Sequence, residues 1–179
     1  MSGLEDLYRE IILDHYRNPR NRGELEVPPA HKVEGFNPLC GDEIVLYVDM
    51  EPSDGDGSGR VADIRIAGQG CSISQSSASM MSAAVKGRTA TEARALIRAF
   101  KAMMSIHEHR LDGDGREIVE AVAPDPEIKL GDLEALRGVV KFPVRIKCAT
   151  LSWNTLAQAL DDAKSNRAPS GQAPKVEGA

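Results

Sequence analysis

Three cysteines carry the chemistry open to this chain: Cys40 in NPLCGD, Cys71 in GQGCSIS and Cys148 in RIKCATLSW. Each lies on a turn or at the expected start of a helix, not on an apolar stripe. A helix N-terminus or a nearby cation favours the thiolate over the thiol. Gly68 and Gly70 let backbone come close around Cys71, and Arg145 and Lys147 flank Cys148. Three thiolates nearly complete a tetrahedral ligand set. Asp42 is the expected fourth ligand, because the glycine between it and Cys40 permits a bend that turns both side chains towards one ion. Soft sulfur donors select zinc or an iron–sulfur cluster over magnesium or calcium. A divalent ion with three thiolates and one carboxylate is two charge units negative, which Arg145 and Lys147 can offset from outside the ligand set.

These residues must be positioned by elements far apart in the chain. Leu4, Leu7, Tyr8, Ile11, Ile12 and Tyr16 recur at helical spacing, and Pro19 and Gly23 end that segment. A Pro- and Gly-rich connector runs from Asn21 to Pro38. Glu43–Met50 and Val61–Ala67 read as strands, joined by the turn-rich PSDGDGSGR into a hairpin. Val33–Pro38 adds an edge strand. After Cys71 the period becomes helical through Lys86. Thr89 and Glu92 form a capping box for a second helix whose stripe is Ala93, Leu96, Ile97, Phe100, Met103 and Met104. Leu133–Val140 is a short helix ended near Pro143, and a last helix runs from Ala149 to Lys164. A short antiparallel sheet carrying helices is an α+β domain. The expected unit is a single domain over residues 1–164, with residues 165–179 a disordered tail.

Composition excludes several classes. The chain has 179 residues and a formal charge of −5. An acidic surface gains little from a polyanion, so nucleic acid is excluded as a partner. No apolar run reaches the roughly 18 residues needed to cross a bilayer. The acidic N-terminal segment is no secretory signal. Three dispersed cysteines form no disulfide framework and fit a reducing, cytoplasmic setting. Monomer is the default state.

NPLCGD, G-x-G-C-x-I-S and the run GDLEALRGVVKFPVRIKCATLSW, with the opening YREIILDHYRNPRNRG, closely resemble the SufU branch of the IscU/NifU N-terminal superfamily of iron–sulfur assembly proteins. The resemblance covers residues 4–164. Lys147 stands where IscU-type chains carry His. The stretch from Cys71 to Cys148 is longer than in those chains, and their LPPVK motif appears only as KFPVRIK. The resemblance implies a SufE/NifU-like fold, a three-stranded antiparallel sheet with a layer of helices on one face. It implies zinc bound by Cys40, Asp42, Cys71 and Cys148. It further implies a sulfur relay, in which a SufS-type cysteine desulfurase hands persulfide sulfur to Cys40 for delivery to the Suf scaffold complex. A desulfurase histidine would take the place of Cys40 on the metal, and Arg145 would steady the released thiolate. The alternative is a scaffold holding a labile [2Fe–2S] cluster on the same four ligands.

Other features read as structural. Asp54, Asp56, Ser58 and Gly59 imitate the start of a calcium loop, but Arg65 stands where a bidentate Glu is needed. His15, His31, His107 and His109 share no motif, and His107 with His109 reads as a helix C-cap. The serines from 72 to 82 are read as close helix packing, and Trp153 as a core or interface anchor. Residues 107–126 are a polar loop of no assigned role.

Overall fold

The computed structural model of the chain describes residues 2–52, 59–105 and 127–165. Within them the order is α1 (Ser2–Arg17), β1 (His31–Asn37), β2 (Asp42–Glu51), β3 (Arg60–Gln69), α2 (Ser72–Val85), α3 (Ala90–Ser105), a 3₁₀ helix (Gly131–Lys141) and α4 (Pro143–Ser165). The strands form one antiparallel sheet with β2 in the centre. The alternation legible in the sequence sets its register. Val33, Leu46 and Ile66 are in line across the three strands, and Ile44 and Val48 flank them on the same face. That face is buried and receives α4 over β1 and β2, with α2 beside β3. The fold is thus the expected α+β arrangement, and the third strand forms.

Gly35 lets the layers meet. A Cβ there would run into Thr155 and Leu151 of α4 and Ile44 of β2. The connector is more ordered than its composition implies: Ile66 exchanges backbone hydrogen bonds with Asn21 and Gly23. Thr89 and Glu92 form the expected capping box, each side chain accepting the other's backbone N–H. The Ala93–Met104 stripe is buried. The serines of α2 do pack closely: Ser77 donates to the Ala149 carbonyl at 2.6 Å, and Trp153 Nε1 donates to Ser77. Trp153 also stacks on Phe100, with ring centroids 4.5 Å apart.

Three expectations change. The last helix starts at Pro143, not Ala149, so Cys148 lies on its second turn. Proline suits the first turn of a helix, where its missing N–H costs nothing, and Arg145 and Lys147 are exposed on either side of buried Ile146 in sequence. The segment before it is a 3₁₀ helix, its Leu133, Leu136 and Val139 buried. On α1, Leu4, Leu7 and Tyr16 are exposed, leaving Tyr8, Ile11 and Ile12 against the core. The 107–126 loop, most of the calcium-loop imitation, His107, His109 and nearly all of the tail lie outside the described residues. Among those described, no helix is long and apolar enough to cross a membrane.

Candidate metal centre

The site forms where the β1–β2 turn, the end of β3 and the second turn of α4 meet. Asn37 and Asp42 face each other as the last residue of β1 and the first of β2. The turn between them carries Cys40, and Gly41 takes φ +67° to close it, a conformation that favours glycine. Asp42 shares the core-facing side of β2 with Ile44 and is fully buried. A carboxylate in an apolar layer is costly unless its oxygens are partnered. Oδ1 accepts the backbone N–H of Cys71 at 2.9 Å, whereas Oδ2 has no hydrogen-bond partner. Gly70 makes the approach possible, because a Cβ there would press on the Asp42 carboxylate.

Cys40, Asp42 and Cys148 each offer a ligand atom within 4.8 Å of the other two. The Cys40 and Cys148 sulfurs are 3.2 Å apart, and all three cysteines are free thiols. Zinc–sulfur bonds of roughly 2.3 Å at tetrahedral angles hold sulfurs a little under 4 Å apart, so a small shift lets one ion fit between these. Cys148 is fully buried, while Cys40 and Cys71 are half-buried. Burial, then the thiol of Cys40 and the carboxylate of Asp42 beside it, push the Cys148 thiol above its ordinary range. A cation placed among them reverses that, since metal ligation takes the proton off a thiol.

Cys71 falls outside the 4.8 Å set. It is the N-cap of α2, and its sulfur accepts the Ser74 amide at 3.4 Å. It joins the cluster through two links: its own N–H on Asp42, and Arg145. The Arg145 guanidinium lies beside the sulfurs of Cys71 and Cys148, which raise its pKa further. The structure therefore gathers three of the four expected ligands and sets the fourth at their edge. An unpartnered buried oxygen, two facing thiols and a third thiol nearby are a donor set that fits a soft divalent cation.

Two features escaped sequence reasoning. Asn37 is buried, accepts the Leu39 amide on Oδ1 at 3.2 Å and points Nδ2 at Cys148 Sγ, 3.8 Å away. Its place directly before Pro38 and the CGD turn was the available signal. The second is a set of exposed large apolar side chains, Phe36, Leu39, Phe142 and Val144, all close in sequence to Cys40 or to the start of α4.

A mixed sheet–helix unit with cysteines and a carboxylate converging at one end defines a class of small thiolate metal-binding domains. The chain belongs to the NifU-like N terminal domain family, which it matches over residues 7–149. It is 43% identical to the zinc-dependent sulfurtransferase SufU of Bacillus subtilis, over 89% of this chain and 92% of that protein. It is 38% identical to the iron-sulfur cluster assembly scaffold protein IscU of Streptococcus pyogenes, over 89% and 86% of the two chains. A crystal structure described as a putative iron-sulfur cluster assembly scaffold protein for the SUF system, from Fervidobacterium islandicum, matches at TM-score 0.62 and 34% identity. That match covers 88% of this chain and 99% of the other.

Proposed function

We propose that this chain is a zinc-binding sulfur-transfer protein of iron–sulfur cluster assembly. Cys40 accepts sulfur from the persulfide of a cysteine desulfurase and passes it to the Suf scaffold complex. The observation that carries this reading is the asymmetry of the cluster: a fully buried Asp42 with one unpartnered oxygen, a buried Cys148, and a half-buried Cys40 on a glycine turn. The ligands are Cys40, Asp42, Cys71 and Cys148. Zinc, when bound there, keeps its thiol ligands deprotonated at neutral pH.

The transfer step balances without an outside oxidant. The Cys40 thiolate attacks the terminal sulfur of the donor persulfide, forming an S–S bond on Cys40. The donor's own S–S bond breaks, and its sulfur leaves as a thiolate with the electron pair. Arg145, beside Cys71 and Cys148, supplies positive charge where thiolates gather. The exposed apolar set of Phe36, Leu39, Phe142 and Val144 suits a protein donor that covers Cys40 and keeps water from the persulfide. Free thiols fit the cytoplasm.

The test is metal analysis of aerobically purified protein, followed by turnover with a cysteine desulfurase. Bound zinc, desulfurase stimulation and a Cys40 peptide heavier by one sulfur atom are expected. Cys40→Ser should fold and fail to stimulate; unaffected stimulation removes Cys40 from the role, and an unfolded variant points to a purely structural zinc. A second reading, a scaffold for a labile [2Fe–2S] cluster, draws support from the same donors and the likeness to IscU. Brown protein with acid-labile sulfide in place of zinc would favour it.

A further inference from the structure

The cluster contains two thiols 3.2 Å apart, and a relay needs one to react while the other stays. Their surroundings differ: Cys148 is the more deeply buried, has the Arg145 guanidinium beside it, and is faced by one further side chain, Asn37. Asn37 ends β1 opposite Asp42 and is 6% exposed. Both halves of its amide are engaged. Nδ2 faces Cys148 Sγ at 3.8 Å, and Oδ1 accepts the Leu39 N–H at 3.2 Å. The second bond is an Asx turn, and it shapes the backbone that delivers Cys40. An N–H directed at a thiolate withdraws charge from sulfur and lowers its nucleophilicity. Among the described residues no side-chain N–H faces Cys40, whose sulfur accepts only the Cys148 thiol. A buried amide is costly unless its polar atoms are paired, so a residue placed only to fill this space would more cheaply be apolar.

We propose that Asn37 is a positioning residue that decides which sulfur reacts: its amide nitrogen restrains Cys148, and its amide oxygen holds the turn that presents Cys40. The proposal rests on the sulfur-transfer reading and adds to it the source of its selectivity. It separates two jobs that one substitution would remove together. Serine at position 37 can still accept the Leu39 amide as a short hydroxyl turn but is too short to reach Cys148. Alanine does neither.

The experiment is limited alkylation of the zinc-loaded full chain with iodoacetamide, with each cysteine peptide quantified by mass spectrometry. In the parent protein Cys40 is modified first. In Asn37→Ser, modification of Cys148 relative to Cys71 should rise about fivefold, the factor that one ordinary hydrogen bond is worth, with Cys40 little changed. In Asn37→Ala, persulfide loading of Cys40 by a desulfurase should fall as well. With cobalt(II) in place of zinc, the sulfur-to-metal charge-transfer band of Asn37→Ser should move to longer wavelength, because an unrestrained thiolate is the stronger donor. An unchanged Cys148-to-Cys71 ratio in Asn37→Ser overturns the proposal. So does a rise at all three cysteines together, which would make Asn37 a residue of general stability. Failure of the underlying reading looks different: the parent protein itself would hold no zinc or load no sulfur on Cys40.

Discussion

Two polar clusters in this molecule invite comparison, each built on a buried residue, His15 in one and Asp42 in the other. One lies where α1, α2 and the 3₁₀ helix meet. His15, 3% exposed, is within 2.8 Å of Ser79 Oγ through Nδ1 and 3.2 Å of Asp132 Oδ2 through Nε2. Ser79 Oγ also accepts the Arg20 N–H. Every ring nitrogen has a partner, and the cluster closes on itself. The other is the thiol cluster, where Asp42 Oδ2 has none and two sulfurs face each other. A closed polar network specifies packing; an open one awaits a ligand. The resemblance of His15, Ser79 and Asp132 to a hydrolytic triad fails on access, since Ser79 is fully buried.

The comparison can be broken most decisively at Asp42. Saturating zinc at roughly a thousand times its dissociation constant stabilises a binding protein by about 4 kcal/mol. Asp42→Ala should abolish most of that gain, measured by denaturant melts with and without zinc. The metal-free variant should lose no more than about 1 kcal/mol, since one hydrogen bond goes together with an unpartnered oxygen. A large loss without metal would show that Asp42 is structural like His15. For His15→Ala the pattern reverses: a cost of about 2–3 kcal/mol in the same melts, with zinc content unchanged. Gly70→Ala sharpens the contrast, because the added methyl meets the Asp42 carboxylate. Zinc affinity, followed by chelator competition, should fall at least about tenfold, with the His15 cluster untouched. The smallest effect is at the exposed apolar side chains. Phe36→Ser with Leu39→Ser should raise the protein concentration needed for half-maximal desulfurase stimulation severalfold, leaving melting and zinc content in place; wild-type stimulation would remove these side chains from partner docking.

Much of this was legible in the chain because it rests on local chemistry. The glycine of the CGD turn, the Thr89–Glu92 box, the alternation of β2 and β3 and the small-residue face of α2 each declare their conformation within a few residues. The nearness of Cys40, Asp42 and Cys148 was inferable because three reactive positions had neighbours that a core thiol does not need. What stayed hidden depends on partners distant in sequence. His15 reads as one more residue of an amphipathic helix until Ser79 and Asp132 close around it. Asn37 is an ordinary turn residue until Cys148 arrives from the far end of the chain. The start of α4 is hard to read from sequence because Arg145 and Lys147 look like a polar break, whereas both are exposed residues of a helical turn that also carries buried Ile146 and Cys148. Cys71 is expected as one of three equal thiolates; instead its sulfur accepts the Ser74 amide as the N-cap of α2 and lies at the border of the set.

The lone tryptophan of the chain stands five residues beyond Cys148 on the same helix, fully buried and stacked on Phe100. Its indole leans on Ser77, which in turn holds the carbonyl of Ala149, the residue next to that cysteine. Any strain that ion loading puts on α4 passes into the surroundings of a single fluorophore. Zinc addition is therefore expected to change the colour or intensity of tryptophan emission, a readout that needs no label.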